Sequence, residues 1–79
     1  MAHFARINND NIVQEVIVVA NSDCDDLPFP ESEPVGQAFI ASIGLPGTWL
    51  QTSYNGNFRG CYAGIGMVWN PETETFEAE

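Results

Sequence analysis

The sequence contains no lysine, and Arg6 and Arg59 are its only arginines. Eleven Asp and Glu residues give it a formal net charge of −9 at pH 7. A chain of this sign repels phosphate groups, so it is unsuited to bind DNA or RNA by neutralising the backbone. Anionic membrane surfaces are disfavoured for the same reason. We therefore expect neither a nucleic-acid partner nor a membrane partner.

Long apolar runs are also missing, and none approaches the roughly 20 residues that a membrane-spanning helix needs. The first residues, Met1-Ala2-His3-Phe4, lack the basic start and apolar stretch of a secretory signal, so we expect synthesis in a cytoplasm. In that compartment free thiols are favoured over a disulfide for the two cysteines, Cys24 and Cys61. The sequence alone leaves a bridge between them open.

Groupings of catalytic residues are absent as well. His3 is the single histidine and has no serine or cysteine beside it, while the cysteines lack zinc-site spacing. Asp23, Asp25 and Asp26 resemble part of a calcium loop, but the loop's glycine and closing glutamate are missing. We predict a non-enzymatic protein without cofactor or metal, in which these acids belong to a solvated loop.

The 79 residues are enough for one domain, residues 1–79. Residues 3–7 and 12–20 alternate like strands around an Asn-rich turn, which predicts a hairpin. In the second strand, the alternation groups Val13 with Ile17 and Val19 on one face. One helix is predicted between Pro34 and Gly44, and its apolar stripe is Val35, Ala38, Phe39 and Ile43.

The second half of the chain has the pattern of further short strands. Residues 49–54, 57–62, 67–69 and 74–77 are separated by turn residues, and Asn55-Gly56 is a strong signal for a two-residue hairpin turn. The predicted fold class is α+β: a small single domain with an antiparallel or mixed sheet of about 5–6 short strands and one helix packed on it, in ββ-α-ββββ order.

A domain of this size has a small core, and such domains usually gain stability from disulfides, a metal or association with other chains, so a partner chain is one expectation. Residues 3–7 and 67–69 are candidate sheet edges to which a neighbouring strand could add. Aromatic and arginine side chains are favoured anchors of protein interfaces. The candidate interface residues are His3, Phe4, Arg6, Arg59, Met67 and Trp69.

Several segments together are similar to those of a known family. M-A-H-F-A-R-I (residues 1–7), I-V-V (17–19), W-L-Q-T-S-Y-N-G-N-F-R (49–59) and Y-A-G-I-G (62–66) occur in one order. The chain resembles small virion structural proteins of marine and freshwater tailed phages, cyanophages especially. The resemblance implies a particle component without catalytic residues, located in the virion and bound to the major capsid protein or another virion protein. It leaves homo-oligomerisation open.

Within that resemblance, a capsid-bound decoration or cement protein is the function we expect first, since an acidic subunit suits an outer surface better than packaged genome. A tail or fibre-adaptor protein is the second candidate. The third, from a different class, is an acidic inhibitor that mimics DNA and occupies a host nucleic-acid-binding protein. Presence in purified particles, and the number of copies there, would separate the three.

Overall fold

A computed structural model describes residues 2–53, 59 and 62–77. Within these residues, two strands precede the helix and three follow it, which confirms the α+β class. The strands form two antiparallel sheets rather than one. The elements are β1 (Ala2–Ile7), β2 (Val13–Val19), a 3₁₀ helix (Asn21–Cys24), α1 (Ser32–Ser42), β3 (Thr48–Thr52), β4 (Val68–Asn70) and β5 (Thr75–Glu77).

The predicted first hairpin is confirmed, because β1 pairs antiparallel with β2. Its loop is held by the Asn8 side chain, whose Oδ1 accepts hydrogen bonds from the backbone N–H groups of Asp10 (2.8 Å) and Ile12 (3.0 Å). Asn11 has a φ of 63°, a left-handed conformation that asparagine tolerates better than most residues. The Asn-rich sequence therefore encodes this turn directly.

The larger sheet has the order β2-β1-β3, so β1 is its central strand. The expectation that residues 3–7 form a free edge is wrong. Both sides of β1 are occupied: Phe4 pairs with Ile17 of β2 and with Gln51 of β3. The edges of this sheet are β2 and β3, because the chain returns after α1 to the side of β1 that the first hairpin leaves open.

The helix and the 3₁₀ helix cover one face of this sheet. The buried side chains between these layers are Ala2, Phe4, Val19, Cys24, Ile40 and Trp49, with Ile17 and Phe39 partly buried against them. The predicted stripe is wrong in part, since Ala38 and Ile43 are exposed while Ser32, Gly36 and Ile40 are buried. The side of the helix that faces the sheet is therefore the row of residues four positions apart. Gly36 lies in this row, and its lack of a side chain leaves the space that the Phe4 ring fills.

Replacing Gly36 with alanine should test this close approach. In an unconstrained helix the change stabilises by about 1 kcal/mol. Here a Cβ at position 36 would come within 2.7 Å of Phe4 Cε1 and 3.1 Å of Cys24 Sγ. We expect Gly36→Ala to lower the free energy of unfolding by about 1 to 3 kcal/mol, measured by urea denaturation. In a double-mutant cycle, Phe4→Leu should cost less in the Gly36→Ala background than in the native one. Additive losses would show that the two positions do not touch.

The second face of the sheet is covered by the segment that follows β3. β4 and β5 pair antiparallel around a turn in which Asn70 Oδ1 accepts a hydrogen bond from the Glu72 backbone N–H at 3.0 Å, which confirms the predicted return strand. This face buries Ala5, Ile7, Val13, Ala63, Trp69 and Phe76. Val13 lies on this face, not with Ile17 and Val19, because an irregularity beside Arg6 and Ile7 shifts the register of β2 by one residue.

The Asn55-Gly56 turn and Cys61 lie outside the described residues, as does most of the predicted strand over residues 57–62. Cys24 is a free thiol buried under the helix. Burial and the neighbouring carboxylates of Asp23 and Asp25 raise its pKa, so the thiol is the favoured form at neutral pH. We assign it a packing role.

Candidate protein-interaction surface

Arg59 and Glu33 form an ion pair whose side chains make several hydrogen bonds within the described residues. Arg59 Nη2 donates to Glu33 Oε1 at 2.9 Å, and Arg59 Nη1 donates to Glu33 Oε2. Only 10% of the arginine side chain and 17% of the glutamate side chain are exposed. Two parallel hydrogen bonds in a largely buried setting fix the position of both charges more firmly than a surface ion pair does.

The two side chains of this ion pair also form hydrogen bonds with the outer edge of β3. The Gln51 backbone N–H donates to Glu33 Oε2 at 2.8 Å, and Arg59 Nη1 donates to the Gln51 backbone carbonyl at 2.9 Å. The carboxylate and the guanidinium therefore occupy the two positions that a neighbouring strand would take. Next to them, the Gln37 side-chain amide donates to the Trp49 carbonyl at 2.6 Å. Side chains thus satisfy this edge, and strand addition there would have to displace them.

The Arg59 guanidinium also lies over two aromatic rings. Its central carbon lies 4.9 Å from the ring centroid of Phe29 and 4.9 Å from that of Trp69. Arginine is favourable over aromatic faces at this distance. Arg59 therefore joins the loop before α1, the edge of β3 and the second sheet, and acts as an internal connection rather than a free surface cation.

Arg6, the second arginine, also pairs within the chain. Its Nε donates to Glu15 Oε1 at 3.3 Å across the β1–β2 pair. The side chains are 36% and 50% exposed, so this pair is solvated and weak. Both arginines are thus matched to a glutamate of the same chain. In the part of the chain that the structure describes, the other acids have no basic partner within salt-bridge distance.

Phe4 and Trp69, two candidate interface residues, belong to this chain's own core. Phe4 is fully buried under α1, and Trp69 is buried against Phe76 at a ring-centroid distance of 4.8 Å. Met67 is partly buried in the same cluster, where its sulfur accepts a hydrogen bond from the Gly64 backbone N–H. These side chains do not supply an exposed contact surface, because so small a domain needs its large apolar side chains for folding.

His3, the remaining candidate, is half-buried on the second face of the central strand. Its ring meets Tyr62 edge-on, with 5.6 Å between centroids. Burial lowers the pKa of His3 below its usual value of 6.5, and the positive N-terminus adds to this effect. The neutral imidazole is therefore the form that the folded protein favours.

Because His3 is the single histidine, its titration can be followed without assignment ambiguity. We expect NMR of the folded protein to give a pKa below 6.5, moving toward the ordinary value on denaturation. Because the folded state then binds the proton more weakly than the unfolded state does, the contribution of His3 to the free energy of unfolding is highest above its unfolded-state pKa. It falls as the pH decreases through the interval between the two pKa values. A folded-state pKa above 6.5 would mean that His3 faces a carboxylate instead.

The outer edge of β2 differs from that of β3. Its start is paired, since Val13 donates to the Met67 carbonyl at 2.8 Å and accepts from Gly66 at 2.9 Å. Beyond Val13, no backbone group among the described residues pairs with this side of the strand. Val18, near its far end, is 52% exposed. An unpaired strand edge of β-branched residues is the kind of surface that other chains recognise.

A pocket of about 290 Å³ lies between the end of α1 and the start of β3. Its lining contains no titratable residue: Gln37, Ala41, Leu45, Gly47, Thr48 and Trp49. The indole Nε1 of Trp49 is buried without a hydrogen-bond partner in the described structure. This lining offers no general acid, general base or charged nucleophile.

Over residues 2–53, 59 and 62–77, no group of three or more His, Cys, Asp or Glu side chains has an arrangement that could hold a metal ion. Within the same residues, no helix has the length and apolar character needed to cross a membrane.

The known protein families, curated proteins and solved structures with which the chain was compared contain no match to it. The likeness to phage virion proteins therefore stays a prediction.

Sequence reasoning missed two features of this surface, the Glu33–Arg59 pair and the open edge of β2. The pair joins positions 26 apart in the chain, and no local pattern links them. A usable signal existed for the edge, because Val16, Ile17 and Val18 form an apolar run in a strand that is followed by an acidic loop. Which strand would be an edge depended on where β3 paired, and spacing does not reveal that.

Proposed function

We propose that this chain is a non-enzymatic structural subunit of a tailed-phage virion, bound to the outside of the capsid as a decoration or cement protein. The observation that carries the proposal is the order of segments at residues 1–7, 17–19, 49–59 and 62–66, which resembles small virion proteins of such phages. The partner is then the major capsid protein or another virion protein.

The distribution of charge supports an outward-facing, protein-bound role. The two arginines are matched to Glu15 and Glu33, so the surplus of acid is not neutralised within the described residues. Asp23, Asp25 and Asp26 are exposed. Burying such groups in an interface without cations would cost several kcal/mol each, so the subunit favours attachment through apolar and backbone groups while these acids face solvent.

Quantitative mass spectrometry of purified particles tests the proposal. We expect the protein to be particle-bound in on the order of hundreds of copies, because icosahedral symmetry multiplies every capsid subunit. A handful or a few dozen copies would favour the tail or fibre-adaptor alternative. Absence from particles made by cells that express the protein would contradict a virion role and favour the acidic inhibitor of a host protein.

A salt series on the same particles tests the mode of attachment. We expect the protein to stay bound at about 1 M salt, where the Debye length is only about 3 Å, because apolar and backbone contacts are not screened. Particle integrity should be monitored by electron microscopy at each step. Quantitative release from intact particles would show that charge pairing holds the subunit.

A further inference from the structure

We propose that the outer edge of β2 binds an extended, apolar strand of another protein that carries basic residues at its ends. The basis is the contrast between the two edges of the larger sheet. The edge of β3 is closed by Glu33, Arg59 and Gln37. The edge of β2 has no such closure among the described residues after Val13.

The register identifies the backbone groups that are free to bind. Gln51 and Trp49 direct their backbone groups outward from β3, so their partners on β1, Phe4 and Arg6, direct theirs toward β2. On β2 the positions opposite them, Ile17 and Glu15, are therefore bonded inward. By alternation, Val16 and Val18 direct their N–H and C=O groups outward. Val16 and Val18 are two positions apart, so their outward groups have the spacing at which a neighbouring β-strand forms hydrogen bonds.

The side chains along this edge favour an apolar partner strand. Val16 and Val18 lie on one face and Ile17 on the other, as alternation requires. Val18 is 52% exposed, while Val16 and Ile17 are half-buried at the margins of the two cores. A strand added here would extend both cores by one row, and β-branched cross-strand pairs are stabilising.

The acids near β2 determine which apolar strands can bind to its edge. Exposed acids lie in the loops at both ends of β2: one, Asp10, before it and three, Asp23, Asp25 and Asp26, after it. Neither arginine is available to offset them, since each is paired with a glutamate. A second copy of the chain would bring further acid against these loops, at a net charge of −9 per copy. A strand with lysine or arginine at its ends meets complementary charge instead.

Hydrogen exchange measured by NMR tests the edge without any substitution. The probe is a synthetic peptide of alternating valine and threonine with two lysines at each end. Its control has glutamates in place of the lysines. In the free protein, the amides of Val16 and Val18 should exchange faster than that of Ile17. With free lysine peptide at about nine times its Kd, exchange at Val16 and Val18 should slow about tenfold, because only about a tenth of the protein is then unbound.

Each other outcome overturns the inference. Unchanged exchange at Val16 and Val18 with both peptides would remove the edge as a binding site. Equal slowing by the glutamate peptide would remove the role of charge. Slowing that depends on protein concentration alone would make a second copy the occupant. As a supporting variant, Val18→Pro removes an outward N–H and should abolish peptide binding while the far-ultraviolet circular dichroism spectrum is retained.

Applied to the virion, the inference rests on the proposed function, because the strand would then belong to the capsid or another virion protein. The peptide experiment uses the isolated protein, so it can fail while the protein is still found in particles. Conversely, absence from particles would leave a positive peptide result standing. The basic ends would add selectivity at the rim while the ladder and apolar contacts hold the partner, which is compatible with retention at high salt.

Discussion

Replacing Arg59 with methionine should lower the free energy of unfolding by about 3 to 5 kcal/mol, close to the whole stability of so small a domain. Methionine keeps much of the length of the side chain but removes its charge and donors. The change leaves the largely buried Glu33 carboxylate without its cation and removes the hydrogen bond to the Gln51 carbonyl. Urea denaturation followed by circular dichroism measures the effect.

The same substitution at Arg6 is the matched control. Its ion pair with Glu15 is exposed to solvent, so Arg6→Met should cost at most about 1 kcal/mol. A conservative change, Arg59→Lys, should give an intermediate loss because it keeps the charge but not the two parallel hydrogen bonds. Equal small losses at both arginines would show that the largely buried Arg59–Glu33 pair contributes no more to stability than the solvated Arg6–Glu15 pair.

Truncating Ile40 to alanine should cost about 2 to 5 kcal/mol. Ile40 is fully buried between α1 and the larger sheet, in the same cluster as Phe4 and Trp49. The size of the loss within that range depends on how far the neighbouring side chains collapse into the cavity. The measurement is the midpoint of urea denaturation, with a check that its slope is unchanged.

Ile43 provides the control for this experiment, because it is the same residue type just after the end of the helix. It is 54% exposed, so Ile43→Ala should change the free energy of unfolding by less than about 0.5 kcal/mol. The two substitutions distinguish the predicted stripe, which contained Ile43, from the observed buried row of Ser32, Gly36 and Ile40. A larger loss at Ile43 than at Ile40 would restore the predicted face.

The sequence by itself determined the first hairpin, the helix, the strand that follows it and the β4–β5 pair, together with most of their local connections. The asparagine loop specified the first hairpin, and Asn70 specified the turn between β4 and β5. Gly44, with a φ of 85°, ended the helix where a residue without Cβ was expected. These features depend on contacts a few positions apart, so local pattern was sufficient to predict them.

The candidate interface was chosen by residue type, whereas the elements were predicted from local pattern. Arginines and aromatics were chosen because such residues anchor many interfaces, but Phe4, Trp69 and Arg59 are used inside this chain. Residue type alone could not distinguish an external anchor from an internal one. That distinction depends on the direction of each side chain in the packed fold.

The tertiary structure decided which strand was central, which face of the helix was buried and which sheet edge was left open. β3 pairs with β1, although α1 lies between them in the chain, and this pairing converted the predicted edge of residues 3–7 into the centre of the sheet. Glu33 and Arg59 closed one edge only after the fold had brought positions 26 apart together. Each of these results depends on contacts between distant segments, which the period of a single strand or helix does not encode.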